Sequence, residues 1–178
     1  LVLGILKGVI VAVLVSMLLL IRRAAHPHVA TLGRIPGTRG FSDMERNPDN
    51  EPVPGALVFR VEASLIYFNV EHVREAVWEK VRATPGPLKL VICDLSISPV
   101  VDLAGARMLK ALQAQLEAAG IRLRLVAAHA SARDILRAEG LEERVGYFGR
   151  RVSVADAIDE FQGGASAGTP AVLTTPAT

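Results

Sequence analysis

The sequence is poor in cysteine and in net charge, and both shortages limit what the protein can be. Its 178 residues include a single cysteine, Cys93, so no internal disulfide can form and nothing indicates an oxidising compartment. Cys93 lies in the apolar run LKLVICDL, where a free cysteine is typical of a strand core. The 20 Lys and Arg residues are nearly balanced by 18 Asp and Glu, a formal net charge of +2. This balance argues against a nucleic-acid partner.

Motifs of common enzyme classes are also missing. The chain has no G-x-x-x-x-G-K-[ST] phosphate loop, no G-x-S-x-G turn, and no His beside a Ser or Cys. His72 and His129 are solitary, and we expect both at the surface. His26 and His28 flank a proline with no Cys or carboxylate cluster adjoining them, which favours a turn over a metal site. The sequence therefore predicts neither an enzyme nor a metal or cofactor site.

Hydrophobic residues make up 51% of the chain, and the surplus lies at its start. Residues 1–21 carry one charge, Lys7, and come close to the ~20 apolar residues that cross a bilayer as a helix. A cleaved signal peptide would have a basic beginning and a shorter apolar run of about 7 to 15 residues. Lys7 is either a functional charge within the membrane or a side chain that reaches the interface. Because no Met precedes this run, we expect a fragment of a longer protein.

A basic flank follows the apolar run, beginning with Arg22 and Arg23 and continuing with Arg34 and Arg39. By the positive-inside rule this side of the membrane is the cytoplasm. Residues 22–54 are predicted to be a juxtamembrane linker, since positions 32–55 contain four Pro, four Gly and no apolar period. A structureless connection of this length is uncommon, so we expect an ordered strap along a surface.

Residues 55–161 have the pattern of one α/β domain. Apolar runs bounded by turn residues predict strands at 56–61, 65–68, 88–95 and 121–128, with helices at about 70–82, 103–119, 131–139 and 154–161. This order predicts a mixed β-sheet with helices packed on it. Residues 162–178 are small and polar, and we expect a disordered tail.

The candidate site is a loop between two aspartates in VICDLSISPVVDLAGARMLKAL, where one aspartate ends a strand and the other opens a helix. Ligands of α/β sheets bind beyond the carboxyl ends of strands, and free N–H groups at a helix start favour an anion. Plainer roles are open too, because such carboxylates often bind loop amides or cap a helix. The candidate residues for an anion, nucleotide or partner site are Asp94, Ser96, Ser98, Asp102, Leu103, Ala104 and Gly105.

Together these features resemble the C-terminal end of SulP-type anion transporters. The likeness rests on a last transmembrane helix, on the strap P-x-V-x-x-L-G-R-I-P-G-T that begins at Pro27, and on the pair Asp94 and Asp102. The part up to about Phe161 is similar to a STAS domain, the fold shared with bacterial anti-sigma-factor antagonists. In those antagonists a kinase phosphorylates a serine after the second aspartate. Here Leu103 follows Asp102, so that switch is absent.

The resemblance implies a cytoplasmic STAS domain with a regulatory or structural role in a multi-pass cell-membrane transporter for sulfate or a related anion. It implies the rest of the membrane domain as a partner, and a homodimer. A cytosolic protein and a weakly bound nucleotide or anion are further partners to test, and no cofactor is implied. The alternative is a membrane-tethered signalling or scaffold protein that uses the same domain to bind a partner.

Overall fold

A computed structural model describes residues 2–149 and 152–166 of the chain. Its elements in chain order are α1 (Val2–Ala25), β1 (Val29–Arg34), β2 (Phe41–Asp43), β3 (Ala56–Val61), α2 (Val70–Ala83), β4 (Leu90–Asp94), α3 (Leu103–Ala118), β5 (Arg122–Val126), α4 (Ala130–Ala138), α5 (Glu142–Val145) and α6 (Val154–Ser166).

The strands form one mixed sheet of five strands in the order β2-β1-β3-β4-β5. β1 pairs antiparallel with β2 and with β3, whereas β3, β4 and β5 are parallel neighbours. The two parallel connections run through α2 and α3, as crossovers between parallel strands require. The predicted α/β fold with a mixed sheet is confirmed.

β4 lies inside the sheet, and all of its residues are buried. Its side chains alternate between two apolar clusters. Val91 and Cys93 belong to the cluster that includes residues of α2 and α3. Leu90 and Ile92 belong to the cluster that includes residues of α6. Helices therefore cover both faces of the sheet, which explains why this strand reads as a continuous apolar run.

The two crossover helices bury the apolar stripes that the sequence predicted. Val73 and Val77 of α2 are buried, as are Leu109, Leu112 and Leu116 of α3. Spacings of three and four residues place these side chains on one face of each helix. Both helices pack that face against the same side of the sheet.

α6 begins with a reciprocal cap. The Ser153 hydroxyl accepts the N–H of Asp156 at 3.2 Å, and the Asp156 carboxylate accepts the N–H and O–H of Ser153. These hydrogen bonds from Ser153, reinforced by Arg39, lower the pKa of the exposed Asp156 carboxyl. The predicted disordered tail, 162–178, is helical as far as Ser166, and the remainder of that prediction lies outside the described residues.

Residues 22–54, predicted to be a linker, contain two strands of the sheet. β1 lies between β2 and β3, and four of its six residues are buried. The run VATLGR mixes apolar with small and polar residues, so it shows no clear period of two. Close packing leaves no room for a side chain at Gly33, because a Cβ there would lie 2.9 Å from side-chain carbons of Asn50 and Met44. The glycines and prolines that suggested a linker lie in β1, between β1 and β2, and between β2 and β3.

The predicted strand at 65–68 is not formed. Leu65 makes an isolated bridge to Val101, and the residues after it turn into α2. The turn is closed by Asn69, whose N–H donates to the carbonyl of Ile66 at 2.9 Å. Asn69 is the N-cap residue of α2 by position, but its side chain makes no capping hydrogen bond. The apolar run was misread because its later side chains are exposed rather than paired in the sheet.

α1 precedes this domain as a separate apolar helix. Its segment Leu6–Ala25 has a mean hydropathy of 2.1, and none of it is buried against the rest of the described chain. This segment is long enough and apolar enough to cross a bilayer as a helix. Arg22 and Arg23 occupy its last turn.

Candidate functional site

Asp94 stands at the carboxyl end of β4 and is committed to an ion pair. Its Oδ2 accepts hydrogen bonds from Nε and Nη2 of Arg60, at 2.8 and 2.6 Å. Its Oδ1 accepts the N–H of Ser96 at 2.9 Å. The residue is only 2% exposed. Both oxygens thus organise the strand end and the loop that follows, which matches the plainer of the two roles considered for it.

Asp102 joins two segments that are far apart in sequence. As the N-cap of α3, it accepts the N–H of Gly105 at 2.8 Å through Oδ1. Its Oδ2 accepts the N–H of Tyr67 at 2.9 Å. Its own N–H donates to the carbonyl of Leu65 at 3.0 Å. The predicted cap is confirmed, and the bond to Tyr67 is a further role that local pattern could not reveal.

Gly105 allows a close approach, but the group that approaches belongs to the chain itself. A Cβ on Gly105 would lie 2.7 Å from the carbonyl oxygen of Leu65. The N–H of Gly105 is used by Asp102. Leu103 is exposed and Ala104 is partly buried, so the backbone around these two residues is the remaining approach for an anion.

The two loop serines differ in access. Ser98 is fully buried, and its hydroxyl donates to the carbonyl of Val61 at 3.2 Å. A kinase cannot reach it without local unfolding. Ser96 is partly buried, and its carbonyl accepts a hydrogen bond from Nε2 of His129 at 2.9 Å. His129 is exposed, as the sequence predicted, but it is not solitary, because its ring holds this loop.

Cys93 precedes Asp94 on β4 and is fully buried. Burial, with the Asp94 charge as a lesser cause, raises the pKa of its thiol far above the usual range. The thiol stays protonated at physiological pH, and the thiolate is the reactive form. The sequence-based interpretation of Cys93 as a core residue agrees with this environment.

Sequence reasoning missed the junction between α1 and the domain. Nδ2 of Asn69 donates to the carbonyl of Ala24 at 3.2 Å and to that of Ser64 at 2.9 Å. The His72 ring donates from Nε2 to the carbonyl of Pro27 at 3.2 Å. It also lies against the His26 ring, with centroids 4.9 Å apart. The first turn of α2 is thus tied to the end of the apolar helix, beside the loop that contains Tyr67.

Apolar side chains are exposed around this junction and around the start of α3. Tyr67 is 75% exposed and forms an edge-on contact with Phe68 at 6.0 Å between ring centroids. The exposed set is Tyr67, Phe68, Ile97, Val100 and Leu103. We call these five residues the apolar rim. Large exposed apolar groups close together mark interaction surfaces more often than isolated ones do.

The sheet order, the two crossover helices and the loop between an ion-paired strand-end aspartate and a capping aspartate define a STAS domain. The chain belongs to the STAS domain family, whose model matches residues 47–157. The match begins after β1 and β2, so these two strands extend the sheet beyond the matched region.

Curated relatives extend this result to sulfate transporters. The chain is 34% identical over 144 residues to a probable sulfate transporter of Mycobacterium tuberculosis strain H37Rv, an alignment that covers 81% of this chain and 26% of the relative. It is 28% identical to probable sulfate transporter 4.2 of Arabidopsis thaliana, over 87% of this chain and 24% of the relative. The chain spans about a quarter of the length of these relatives. Their names describe transporters and not enzymes.

Solved structures give the same result. Murine Solute Carrier 26 family member A9, an anion transporter in the inward-facing state, superposes with a TM-score of 0.75 at 25% identity, covering 88% of this chain and 26% of that one. The STAS domain of a SulP transporter from Vibrio cholerae superposes with a TM-score of 0.53 at 15% identity, over 70% of this chain and 94% of that one. The latter likeness shows the fold alone. The predicted resemblance to SulP transporters with a STAS domain is confirmed.

Proposed function

We propose that this chain is the C-terminal part of a SulP-type secondary anion transporter, with α1 as the last membrane span and the STAS domain in the cytoplasm. The observation that carries the proposal is the 34% identity to a probable sulfate transporter over 81% of the chain. The apolar α1 and the arginines of its last turn support the membrane position and the cytoplasmic side. The transported ion is proposed to be sulfate or a related anion.

The role proposed for the domain is regulatory and structural. A transporter site at the bilayer midplane is built from several discontinuous helices, which one span cannot supply. The domain is therefore proposed to act on transport through the end of α1, where Asn69 and His72 donate hydrogen bonds to the carbonyls of Ala24 and Pro27. A movement of the domain would be transmitted to α1 through these bonds.

The apolar rim is proposed to contact the cytoplasmic side of the rest of the membrane domain. Support comes from its position, since Tyr67 and Phe68 directly precede the residue that binds the end of α1. Burial of these side chains against a neighbouring domain would remove apolar surface from water. A homodimer is a second expected association.

Anion uptake by the complete protein tests this proposal. Vesicles containing the product of the whole reading frame should accumulate labelled sulfate or a related anion, and vesicles containing only the 178-residue chain should not. A stop after residue 25 separates the contribution of the STAS domain from that of the membrane part. A reading frame that begins just before α1, or a complete protein that moves none of the small inorganic anions, would contradict the transporter function and favour the tethered scaffold.

A further inference from the structure

Three side chains of metal-binding type come together at the membrane-proximal end of the sheet. His28 lies just before β1, Asp43 ends β2, and Glu62 follows β3. Their ligand atoms all lie within 4.8 Å of one another. Strand pairing produces this meeting, because the N–H of Glu62 donates to the carbonyl of His28 at 2.9 Å and β2 pairs with β1. The carboxylates that seemed absent beside His28 in the sequence are thus supplied by the fold.

One oxygen at the centre of this group is poorly satisfied. The Asp43 side chain is only 8% exposed, and its Oδ1 accepts the N–H of Glu45 at 2.9 Å. Its Oδ2 has longer contacts, 3.4 Å to Nε2 of His28 and 3.6 Å to Nε of Arg46. Charge-assisted hydrogen bonds to a carboxylate are usually about 2.7 to 2.9 Å. A largely buried carboxylate oxygen without a short partner among the described residues is a position that a cation would complete.

We propose that His28, Asp43 and Glu62 bind a divalent transition-metal ion of the Zn²⁺ class. Imidazole nitrogen and carboxylate oxygen are both ligand types that such ions accept, with bond lengths of about 2.0 to 2.2 Å. Water would fill the fourth position, since His28 and Glu62 are exposed. Mg²⁺ and Ca²⁺ prefer oxygen ligands alone, so the imidazole favours the transition metal. Binding through Nε2 requires that its proton leave and that the other ring nitrogen carry the hydrogen.

Arg46 is the competitor for this position. Its guanidinium lies 3.6 Å from Asp43 and 3.7 Å from Glu62, and its side chain is 72% exposed. Both distances exceed those of good hydrogen bonds, and exposed ion pairs contribute little to stability. The ion would displace Arg46 into solvent and take over its charge-balancing role. Removal of this arginine should therefore strengthen metal binding.

Metal binding here would stiffen the connection between the membrane helix and the domain. His28 follows the end of α1 at Ala25 by three residues. The ion would tie that segment to the ends of β2 and β3 and to the loop that leads to Asn69. At this position, a change in the rigidity of the segment would affect both α1 and the STAS domain.

Titration of the untagged 178-residue chain in detergent micelles with Zn²⁺ tests the proposal. We expect one saturable site of micromolar or tighter affinity by calorimetry and a higher thermal midpoint, with no equivalent response to Mg²⁺. His28→Ala and Asp43→Asn should each weaken binding at least tenfold, and Arg46→Gln should strengthen it several-fold. His129→Ala is the matched control, because that imidazole braces a different loop, and it should leave the affinity unchanged.

The neighbouring pair of histidines provides the alternative outcome. His26 and His72 have rings 4.9 Å apart and could also take up Zn²⁺. Affinity that falls with His72→Ala but not with His28→Ala would overturn the proposal, as would the absence of saturable binding or an unchanged affinity in Arg46→Gln. Circular dichroism of each metal-free variant checks that the fold is retained. Because His28 is exposed, its substitution should disturb the fold little.

Discussion

The buried ion pair of Asp94 and Arg60 fixes the end of β4 and the loop after it. We expect Asp94→Ala to lower the free energy of unfolding by about 3 kcal/mol, because it leaves a partly buried guanidinium without its partner and frees the N–H of Ser96. Denaturant unfolding followed by the fluorescence of Trp78, the only tryptophan, measures this change. Asp49→Ala in an exposed loop is the control and should change stability by less than about 0.5 kcal/mol. A loss below 1 kcal/mol in Asp94→Ala would show that the pair is dispensable.

The start of α3 should bind anions only weakly. The N–H of Gly105 is taken by Asp102, and the carbonyl of Leu65 fills the space in front of it. The Asp102 carboxylate repels an incoming anion, and a helix-end dipole contributes only about 0.3 to 1 kcal/mol. We therefore expect millimolar affinity at best for sulfate or GTP, about −4 kcal/mol or weaker. Amide shifts in an NMR titration should be confined to the first turn of α3, and micromolar affinity would refute this assignment.

Single residues were predictable from sequence where their role is local. The Asp102 cap and the core position of Cys93 follow from neighbours in the chain. The group that approaches Gly105 was not predictable, because the carbonyl that occupies its open side comes from a residue forty positions earlier. For the same reason the sequence showed no partner for Asp94, since Arg60 is brought to it by parallel pairing of β3 and β4.

At the scale of elements, segments with an unbroken apolar pattern were predicted well, and strands whose apolar pattern is interrupted were not. α2, α3 and β4 each carry an unbroken apolar pattern that local spacing reveals. β1 mixes apolar with small and polar residues, and β2 has only three residues, so the burial of both comes from neighbours across the sheet. The run at 65–68 has strand composition, but the turn closed by Asn69 directs it into α2.

The place of β1 in the sheet decides where an independent domain begins. We expect a fragment of residues 27–163 to fold cooperatively. A fragment of residues 55–163 would lack both β1 and β2, expose one edge of β3 and uncover apolar side chains on both faces of the sheet. Exposed strand edges favour aggregation.

Thermal unfolding by circular dichroism and size-exclusion chromatography compare the two fragments. The longer one should be monomeric or dimeric with a single sharp transition, and the shorter one should unfold at a lower temperature or aggregate. Equal stability of the two fragments would mean that the domain does not need β1 and β2 to fold, and that it begins at Gly55.

At the scale of the whole molecule, the sequence pattern identifies an apolar helix and an α/β domain, but not the contact between them. That contact rests on the side chains of Asn69, just before α2, and of His72 in its first turn, which donate to carbonyls of the segment 24–27. A hydrogen bond from a side chain to a backbone carbonyl leaves no pattern in the sequence, because every residue carries a carbonyl. In the proposed transporter, we expect this junction to be one route by which the domain influences the membrane part.

Asn69→Ala tests that route in the complete protein. The side chain of Asn69 is buried and donates to the carbonyls of Ala24 and Ser64, so its removal breaks one of the two hydrogen bonds that tie the segment 24–27 to the domain. A bond of this kind contributes about 1 kcal/mol, which corresponds to about a fivefold change in the population of the coupled state. We expect membrane insertion and abundance to be unchanged and the initial rate of anion uptake to fall several-fold. Asp49→Ala in an exposed loop is the control and should leave the rate nearly unchanged. An Asn69→Ala protein that transports at the full rate would show that the domain acts through another contact, such as the apolar rim.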